Sequence, residues 1–219
     1  MIIAIDGPAG VGKSTVAKRL AVRLGYRYVD TGALYRAAAW KVCLSGINAA
    51  DHEAVVRLVA STTIALHEDP AAPRVSVDGQ DVTHQIRTAE VSGMASIVSA
   101  IQGVRAALLP LQRKMGHGRH VVVEGRDIGT VVFPEAGVKF FLDATSEVRA
   151  ARRQRELIAA GHTVHLEHMR RDIEARDQRD RSRTVAPLTP AGDAIIIDTS
   201  ALGVEEVVDR MVAAIPINP

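Results

Sequence analysis

Aromatic residues are scarce in this sequence: only 3% of its 219 residues are Phe, Trp or Tyr. Proteins that bind single-stranded nucleic acids stack bases on aromatic side chains, so this scarcity argues against that class of function. The sequence also has only one cysteine, Cys43. A single cysteine excludes an internal disulfide and fits a reducing compartment.

Long apolar runs are missing as well. The opening run MIIAI ends at Asp6, which makes it too short for a signal peptide or a membrane span, and no later run reaches about 18 apolar residues. We therefore expect a cytoplasmic protein that does not contact a membrane. With 47% hydrophobic residues, the chain can bury one sizeable core and a small insert.

What the sequence does contain is a set of short apolar runs that end in an acidic residue: IIAID, VVVE, FFLD, IIID and the more mixed YRYVD. Runs of this length without alternation are typical of strands covered on both faces, as in a parallel sheet. Helical patterns at 14–24, 146–160 and 204–214 separate or follow them. This alternation predicts a three-layer α/β domain.

Residues 62–88 depart from this pattern. Polar and apolar residues alternate there around a Pro-rich turn and the dipeptide Asp78-Gly79, which favours a β-hairpin. We interpret the segment as a small antiparallel insert. Helical patterning then resumes over Ala89–Met115.

The stretch GPAGVGKST fits the phosphate-loop pattern G-x-x-x-x-G-K-[ST], and it lies between a predicted strand and a predicted helix. Backbone N–H groups of such a loop and the positive end of the helix hold phosphates. Lys13 is expected to reach the β- and γ-phosphates, and Ser14 to offer a hydroxyl to Mg²⁺. The predicted nucleotide-binding residues are Gly7, Pro8, Ala9, Gly10, Val11, Gly12, Lys13, Ser14 and Thr15.

A phosphate loop alone does not distinguish a switch, a motor and a kinase. The residues that would bind a phosphoryl acceptor have to distinguish these classes of protein. Thr31 and Arg36 follow the second predicted strand, at the edge where α/β sheets bind ligands. Glu124 ends the next strand and is expected to orient a water of the Mg²⁺ shell. Arg126 and Asp127 follow on the loop at the same edge.

Positive charge is concentrated in residues 149–183, which hold ten arginines and six acidic residues. For its last part, RDQRDRSR at 176–183, three interpretations are open: a nucleic-acid patch, a solvated ladder of ion pairs, or a clamp for a small anion. The near absence of aromatic residues favours the small anion over nucleic acid.

Within that segment, RDQRDRSR has helical spacing. One face of a helix would carry Arg176, Arg179 and Arg183, with Asp180 beside that face. On another face, Asp177 can reach the residue four positions later, Arg181.

Together these motifs resemble the bacterial cytidylate kinase family. The match runs nearly end to end through IDGPAGVGKST, DTGALYR, DGQDVTHQIRT, EGRDIGTVVFP, FFLDAT and RDQRDRSRTVAPL. The resemblance implies a P-loop kinase fold with a five-stranded parallel sheet, a small inserted NMP-binding domain and a short lid. It also implies transfer of the γ-phosphoryl group of ATP to CMP or dCMP, with Mg²⁺, by a monomer.

On this pattern, residues 1–219 form a single P-loop kinase unit. The core would occupy about 1–30, 116–145 and 184–219; the NMP-binding insert about 31–115, with the antiparallel region at 62–88; and the lid about 149–168. The lid has three arginines that are candidates for contacting the transferring phosphoryl group: Arg149, Arg152 and Arg153.

The resemblance also implies roles for single residues. Thr31 replaces a serine of the family pattern, and Glu124 replaces an aspartate. The implied catalytic residues are Lys13, Arg126, Arg152 and Arg183, and the metal-site residues are Ser14 and Glu124. The implied contacts to CMP are Thr31, Arg36, Arg126 and Arg183 to the phosphate, Ser96, Arg105 and Asp127 to the cytosine, and Arg176 and Asp180 to the sugar.

The acceptor's chemistry explains why no general base is needed. A nucleoside monophosphate has a second pKa of about 6, so it is mostly a dianion near pH 7 and a ready nucleophile. An Asp127 carboxylate would accept from the cytosine amino group and repel the uracil carbonyl. Two alternatives remain: a kinase for another small acceptor such as UMP or shikimate, and an ATP-dependent switch or RNA-binding module.

Overall fold

The computed structural model describes residues 1–67, 74–116, 120–159, 161 and 163–216. The chain divides into two units, which we call the sheet unit (Met1–Val29 and Gly118–Pro219) and the helical unit (Asp30–His117). The segment expected to form the insert, 31–115, lies within the helical unit. That this segment binds a nucleoside monophosphate stays a prediction.

The described elements follow one another in an order that alternates strands and helices at both ends of the chain. They are β1 (Ile2–Asp6), α1 (Lys13–Leu24), β2 (Arg27–Asp30), α2 (Gly32–Ser45), α3 (His52–Ser61), β3 (Ile64–His67), β4 (Arg74–Val77), β5 (Gln80–Asp81), a 3₁₀ turn (Gln85–Arg87), α4 (Ala89–Val98), α5 (Gln102–Met115), β6 (Val121–Glu124), a π-helical turn (Ile128–Val132), β7 (Val138–Asp143), α6 (Ser146–Ala159), α7 (Leu166–Ser182), β8 (Ile195–Asp198) and α8 (Val204–Ala214).

The predicted five-stranded parallel sheet is confirmed, in the order β2-β6-β1-β7-β8. β1 is central and pairs in parallel with β6 and β7, while β7 pairs in parallel with β8. Every residue of β6 is buried, as its unbroken apolar sequence predicts. Ile5 lies beside Glu124 on one side and Phe140 on the other, so the strands end together at one sheet edge.

The predicted helices of the sheet unit are confirmed, with one boundary left open. α1 and α8 cover the predicted segments 14–24 and 204–214, and they pack against each other. Leu20 of α1, Phe140 of β7 and Met211 of α8 are fully buried in one core. α6 ends at Ala159; the last residue of its predicted span, 160, lies outside the described residues, as does residue 162 of the predicted lid.

The helical unit has its own core and its own antiparallel sheet, in the order β3-β4-β5. Strands β3 and β4 pair from Ile64 with Val77 onward, as predicted for a hairpin, although the Pro-rich turn at 68–73 lies outside the described residues. Asp78 and Gly79, both with positive φ, join β4 to β5. That two-residue connection is the turn which the Asp-Gly dipeptide predicts.

The helical pattern over Ala89–Met115 forms two helices rather than one. α4 ends at Val98, and α5 begins at Gln102 after the extended Ile101, with a bend of 103° between them. The sequence at the break contains neither Gly nor Pro, so nothing local marks it. No single helix among the described residues is long and apolar enough to span a membrane, and only this bent pair has the length and composition.

Gly103 sets how closely α5 approaches α3. A Cβ added at Gly103 would lie 2.5 and 2.9 Å from the two methyl carbons of Val56, so no rotation of this β-branched side chain removes the clash. Alanine normally stabilises a helix interior by about 1 kcal/mol relative to glycine. Here the clash should outweigh that gain, because overpacking costs about 1–3 kcal/mol.

We therefore predict that Gly103→Ala lowers the free energy of unfolding, measured in urea, and that adding Val56→Ala restores it. Val56→Ala alone is the matched control, since it removes the same methyl groups without the clash. Equal effects of Val56→Ala with and without Gly103→Ala would contradict this account of the contact.

Candidate active site

The loop between β1 and α1 has the geometry of a phosphate-binding loop. Gly7, Gly10 and Gly12 all have positive φ, of 147°, 75° and 96°. At Gly7 a Cβ atom would lie 2.2 Å from the backbone oxygen of Leu142 in β7, so only glycine fits there. Ser14 and Thr15 lie exposed in the first turn of α1, where the helix dipole favours anions.

Lys13 is buried in this loop and folds back over it. Its Nζ donates to the carbonyl oxygens of Gly7 and Pro8 at 2.8 and 2.7 Å. Burial, followed by the charge of Arg126, lowers the pKa of Lys13 well below the usual lysine value, while Glu124 and Asp6 act in the opposite direction. Negatively charged phosphates would favour the charged form of Lys13, which suits the predicted role.

Two buried carboxylates end the neighbouring strands β1 and β6. Asp6 accepts from the backbone N–H groups of Ile128 and Gly129, at 2.8 Å each, and so holds the start of the π-helical turn. Burial raises the pKa of Asp6 to about 6, although these two N–H groups oppose the shift. Glu124 accepts a hydrogen bond from the Tyr28 hydroxyl. Sequence reasoning gave Glu124 a role but left Asp6 as one acidic strand end among several.

The arginines and acids of the acceptor side meet in the sheet unit. Arg126 Nε donates to Asp180 Oδ2 at 3.1 Å. The two Nη atoms of Arg183 lie 3.8 Å from Asp127 and from Asp180, and its Nε donates to the Ala186 carbonyl at 2.5 Å. Asp127, Asp180 and Arg183 are each less than a tenth exposed. These charges therefore form a buried network rather than a solvated ladder.

One prediction for this segment is wrong. α7 ends at Ser182, and Arg183 has extended backbone angles, so Arg183 does not share a helical face with Arg176 and Arg179. The carbonyl of Asp180, which a longer helix would use internally, instead accepts from the N–H of Leu188 at 2.8 Å. This turn in the chain lets Arg183 face Asp127 and Asp180.

A second correction concerns Asp177, which pairs with Arg149 of α6 and not with Arg181. Its Oδ2 lies 2.5 Å from Arg149 Nη1, and its Oδ1 accepts from the Ala9 N–H at 3.3 Å. Spacing within one helix could not reveal this contact, because the partners are 28 residues apart on different helices.

The arginines of the predicted lid differ in their surroundings. Arg152 donates to the Val11 carbonyl of the phosphate loop at 3.3 Å and to Thr199 Oγ1 at 3.0 Å. Arg153 is partly exposed and pairs with Glu156 at 3.0 Å. A contact from Arg152 to a transferring phosphoryl group stays a prediction.

Arg176 lies in α7 of the sheet unit, and four other predicted residues lie in the helical unit. Thr31 is the N-cap of α2 and is buried, and Arg36 one turn later pairs with Asp30 at 2.5 Å. Burial would raise the pKa of Asp30, but the charge and hydrogen bond of Arg36 outweigh burial and hold that pKa below its usual value. Ser96 is buried in α4, and the buried Arg105 lies over the Tyr35 ring at 5.4 Å.

The chemistry of the donor set fits Mg²⁺. Ser14 offers a hydroxyl oxygen and Glu124 a carboxylate, which are hard oxygen ligands. Lys13 immediately precedes Ser14, and the charge of Glu124 raises the pKa of Lys13. That Ser14 and Glu124 hold one Mg²⁺ stays a prediction. Magnesium commonly uses one or two protein groups together with substrate phosphates.

A glycine-rich loop that holds a lysine at the edge of a parallel sheet is the architecture of P-loop proteins, which include kinases. A shikimate kinase from Bacteroides thetaiotaomicron, whose structure is solved, superposes with a TM-score of 0.50 at 11% identity, over 97% of each chain. The chain therefore has a P-loop kinase fold.

Sequence comparison is more specific. The family model described as "Cytidylate kinase" matches residues 3–216. A cytidylate kinase of Pelotomaculum thermopropionicum is 50% identical over 97% of this chain and 95% of its own length. One of Desulfitobacterium hafniense is 50% identical over 96% and 90%. This chain belongs to the cytidylate kinase family. It is a nucleotide-binding transferase whose phosphoryl donor is ATP and whose substrates are small nucleotides.

The raised pKa of Asp6 predicts a pH dependence of stability. In the folded protein Asp6 takes up a proton near pH 6, and in the unfolded chain near 3.8. Between these values the folded state binds more protons, so the stability contributed by Asp6 falls as the pH rises and then levels off. The slope is at most about 1.4 kcal/mol per pH unit.

We expect the unfolding free energy of the unchanged protein, minus that of Asp6→Asn, to fall as the pH rises from about 4 to about 6. Urea unfolding of both proteins at several pH values measures this difference and cancels the other titrating groups. A difference that stays flat or rises over that interval would contradict the assigned protonation of Asp6.

Proposed function

We propose that this chain transfers the γ-phosphoryl group of ATP to CMP or dCMP, giving CDP or dCDP, by positioning and charge neutralisation and without a general base. The observation that supports this most is the buried group of charges in the sheet unit. Lys13 in the phosphate loop lies within the electrostatic reach of Arg126, and Arg126 is bonded to Asp180 at the end of α7.

The main obstacle to this reaction is repulsion between two anions. Two like unit charges 4 Å apart repel by about 4 kcal/mol at an effective dielectric constant of about 20. Lys13, Arg126, Arg152 and Arg183 would neutralise the phosphates and align them, and burial strengthens each such interaction. The acceptor phosphate is already a dianion, so no side chain has to remove a proton from it.

Mg²⁺ would be held by the Ser14 hydroxyl, with Glu124 orienting a water of its shell. When bound, it would neutralise charge on the β- and γ-phosphates. The residues of the phosphate loop would bind the same phosphates through their backbone N–H groups.

The acceptor nucleotide would be bound by the residues that the family pattern implies. Its phosphate would be bound by Thr31, Arg36, Arg126 and Arg183, its sugar by Arg176 and Asp180, and its base by Ser96, Arg105 and Asp127. Asp127 is only 3% exposed, so a base that placed another acceptor atom against its oxygens would be strongly disfavoured. Cytosine offers an amino group to that carboxylate, whereas uracil offers a carbonyl oxygen.

The surroundings of the arginines favour a small anion over RNA. Arg149 and Arg183 are nearly fully buried and face carboxylates, and Arg126 faces Asp180. An RNA-binding surface instead presents exposed basic side chains to phosphates. We further propose that the protein works as a cytoplasmic monomer, without nucleic acid or membrane partners.

The proposal is tested by assaying ADP release with ATP, Mg²⁺ and a panel of acceptors: CMP, dCMP, UMP, AMP and shikimate. We expect CMP and dCMP to give the highest kcat/KM, with UMP lower by about 10-fold or more. Another preferred acceptor, or ATP hydrolysis that ignores the acceptor, would overturn the proposal.

In the same assay Asp127→Asn should narrow the CMP/UMP ratio by about 10-fold, because an amide can donate to the uracil carbonyl as well as accept. The matched control is Glu135→Gln, which removes an exposed carboxylate after the π-helical turn. This variant should leave the CMP/UMP ratio unchanged. An unchanged ratio in Asp127→Asn would remove Asp127 from base selection.

A further inference from the structure

Arg149 and Asp177 form a buried ion pair behind the phosphate loop. Each residue is 4% exposed, and Arg149 Nη1 lies 2.5 Å from Asp177 Oδ2. Arg149 comes from α6, and its Nε also donates to the carbonyl of Ala144, just before that helix, at 2.9 Å. Asp177 comes from α7. Neither residue was given this role by the sequence motifs.

Both partners of the pair also bond to one residue of the phosphate loop. Arg149 Nη1 donates to the Ala9 carbonyl at 2.9 Å, and the Ala9 N–H donates to Asp177 Oδ1 at 3.3 Å. The next residue, Gly10, packs on the same two helices. A Cβ placed there would lie 3.4 Å from Arg149 Cβ and 3.5 Å from Ile173 Cδ1.

These contacts fix two consecutive peptide planes, because a trans peptide bond points its C=O and its N–H in opposite directions. In the Pro8–Ala9 peptide, the N–H is bound by Asp177 and the C=O by Lys13 Nζ, at 2.7 Å. In the Ala9–Gly10 peptide, Arg149 binds the C=O. The Gly10 N–H must then point away from Arg149.

We propose that Arg149 and Asp177 are positioning residues for the phosphoryl donor. The pair holds the backbone N–H groups of the loop in the orientation that binds ATP phosphates. It also keeps the Pro8 carbonyl in place to accept the hydrogen bond from Lys13 Nζ. The inference rests on the proposed function only in so far as ATP is the donor, and it is independent of the acceptor's identity.

A purely structural role, in which the pair only joins α6 to α7, makes a different prediction. Replacing a buried ion pair by apolar side chains of similar volume is often neutral or stabilising, whereas removing one partner leaves an unpaired charge. The variant Arg149→Met with Asp177→Leu therefore keeps the packing and removes the hydrogen bonds to Ala9. A structural pair could be replaced without loss of ATP binding.

The experiment measures binding of a non-hydrolysable ATP analogue with Mg²⁺ by titration calorimetry, with no acceptor present. We expect the double variant to keep its unfolding midpoint and to bind the analogue about 10-fold or more weakly, while its affinity for CMP changes by less than about threefold. Analogue affinity within about twofold of the unchanged protein, in a folded variant, would overturn the proposal.

A second variant, Asp177→Asn, covers the case in which the double variant does not fold. Its amide keeps the shape and one acceptor oxygen but cannot hold both Arg149 and the Ala9 N–H equally well. We expect KM for ATP to rise about 5-fold or more with KM for CMP nearly unchanged. Equal rises in the two KM values, or no rise in either, would contradict the positioning role.

Arg170→Met is the matched control on α7. It breaks ion pairs with Glu167 and Glu174, at 3.0 and 3.6 Å, whose carboxylates are exposed. Exposed pairs of this kind contribute little, so analogue binding should not change. Because binding is measured without CMP, a protein that binds ATP but does not phosphorylate CMP would refute the proposed function and leave this inference fully tested.

Discussion

The rest of the site depends on the interactions of the Lys13 ammonium group with the phosphate loop. This group is buried against the carbonyls of Gly7 and Pro8, and Gly7 itself lies so close to β7 that a Cβ would not fit there. A buried cation is costly unless it is paired. The carboxylates of Asp6 and Glu124 supply part of the compensation, and the phosphates of ATP would supply the rest.

The arginines around this loop follow the same rule. Arg126, Arg149 and Arg183 each face a carboxylate in the sheet unit, so none is a bare charge in the protein interior. Such pairs add little net stability, since desolvation offsets much of the attraction. Their value is orientation: a guanidinium held on one side by a carboxylate presents its remaining N–H groups in fixed directions.

The sequence predicted the parallel sheet and several helices because most of these elements have a strong local pattern. The IIAID and VVVE runs are unbroken and apolar, and the glycines and lysine of GPAGVGKST have a fixed spacing. Contacts between distant segments left no such pattern. Spacing placed Arg183 on a helix that ends one residue earlier, and it could not pair Asp177 with Arg149, because tertiary packing decides both.

The central claim is that a buried cationic loop neutralises the phosphates of two nucleotides brought together for transfer. Phosphorylation of CMP by Lys13→Ala, in the presence of ATP and Mg²⁺, tests it most directly. We expect turnover to fall about 100-fold or more with the fold intact, while Lys18→Ala, an exposed lysine on the same helix, keeps its activity. Turnover by Lys13→Ala equal to that of the unchanged protein would contradict the account.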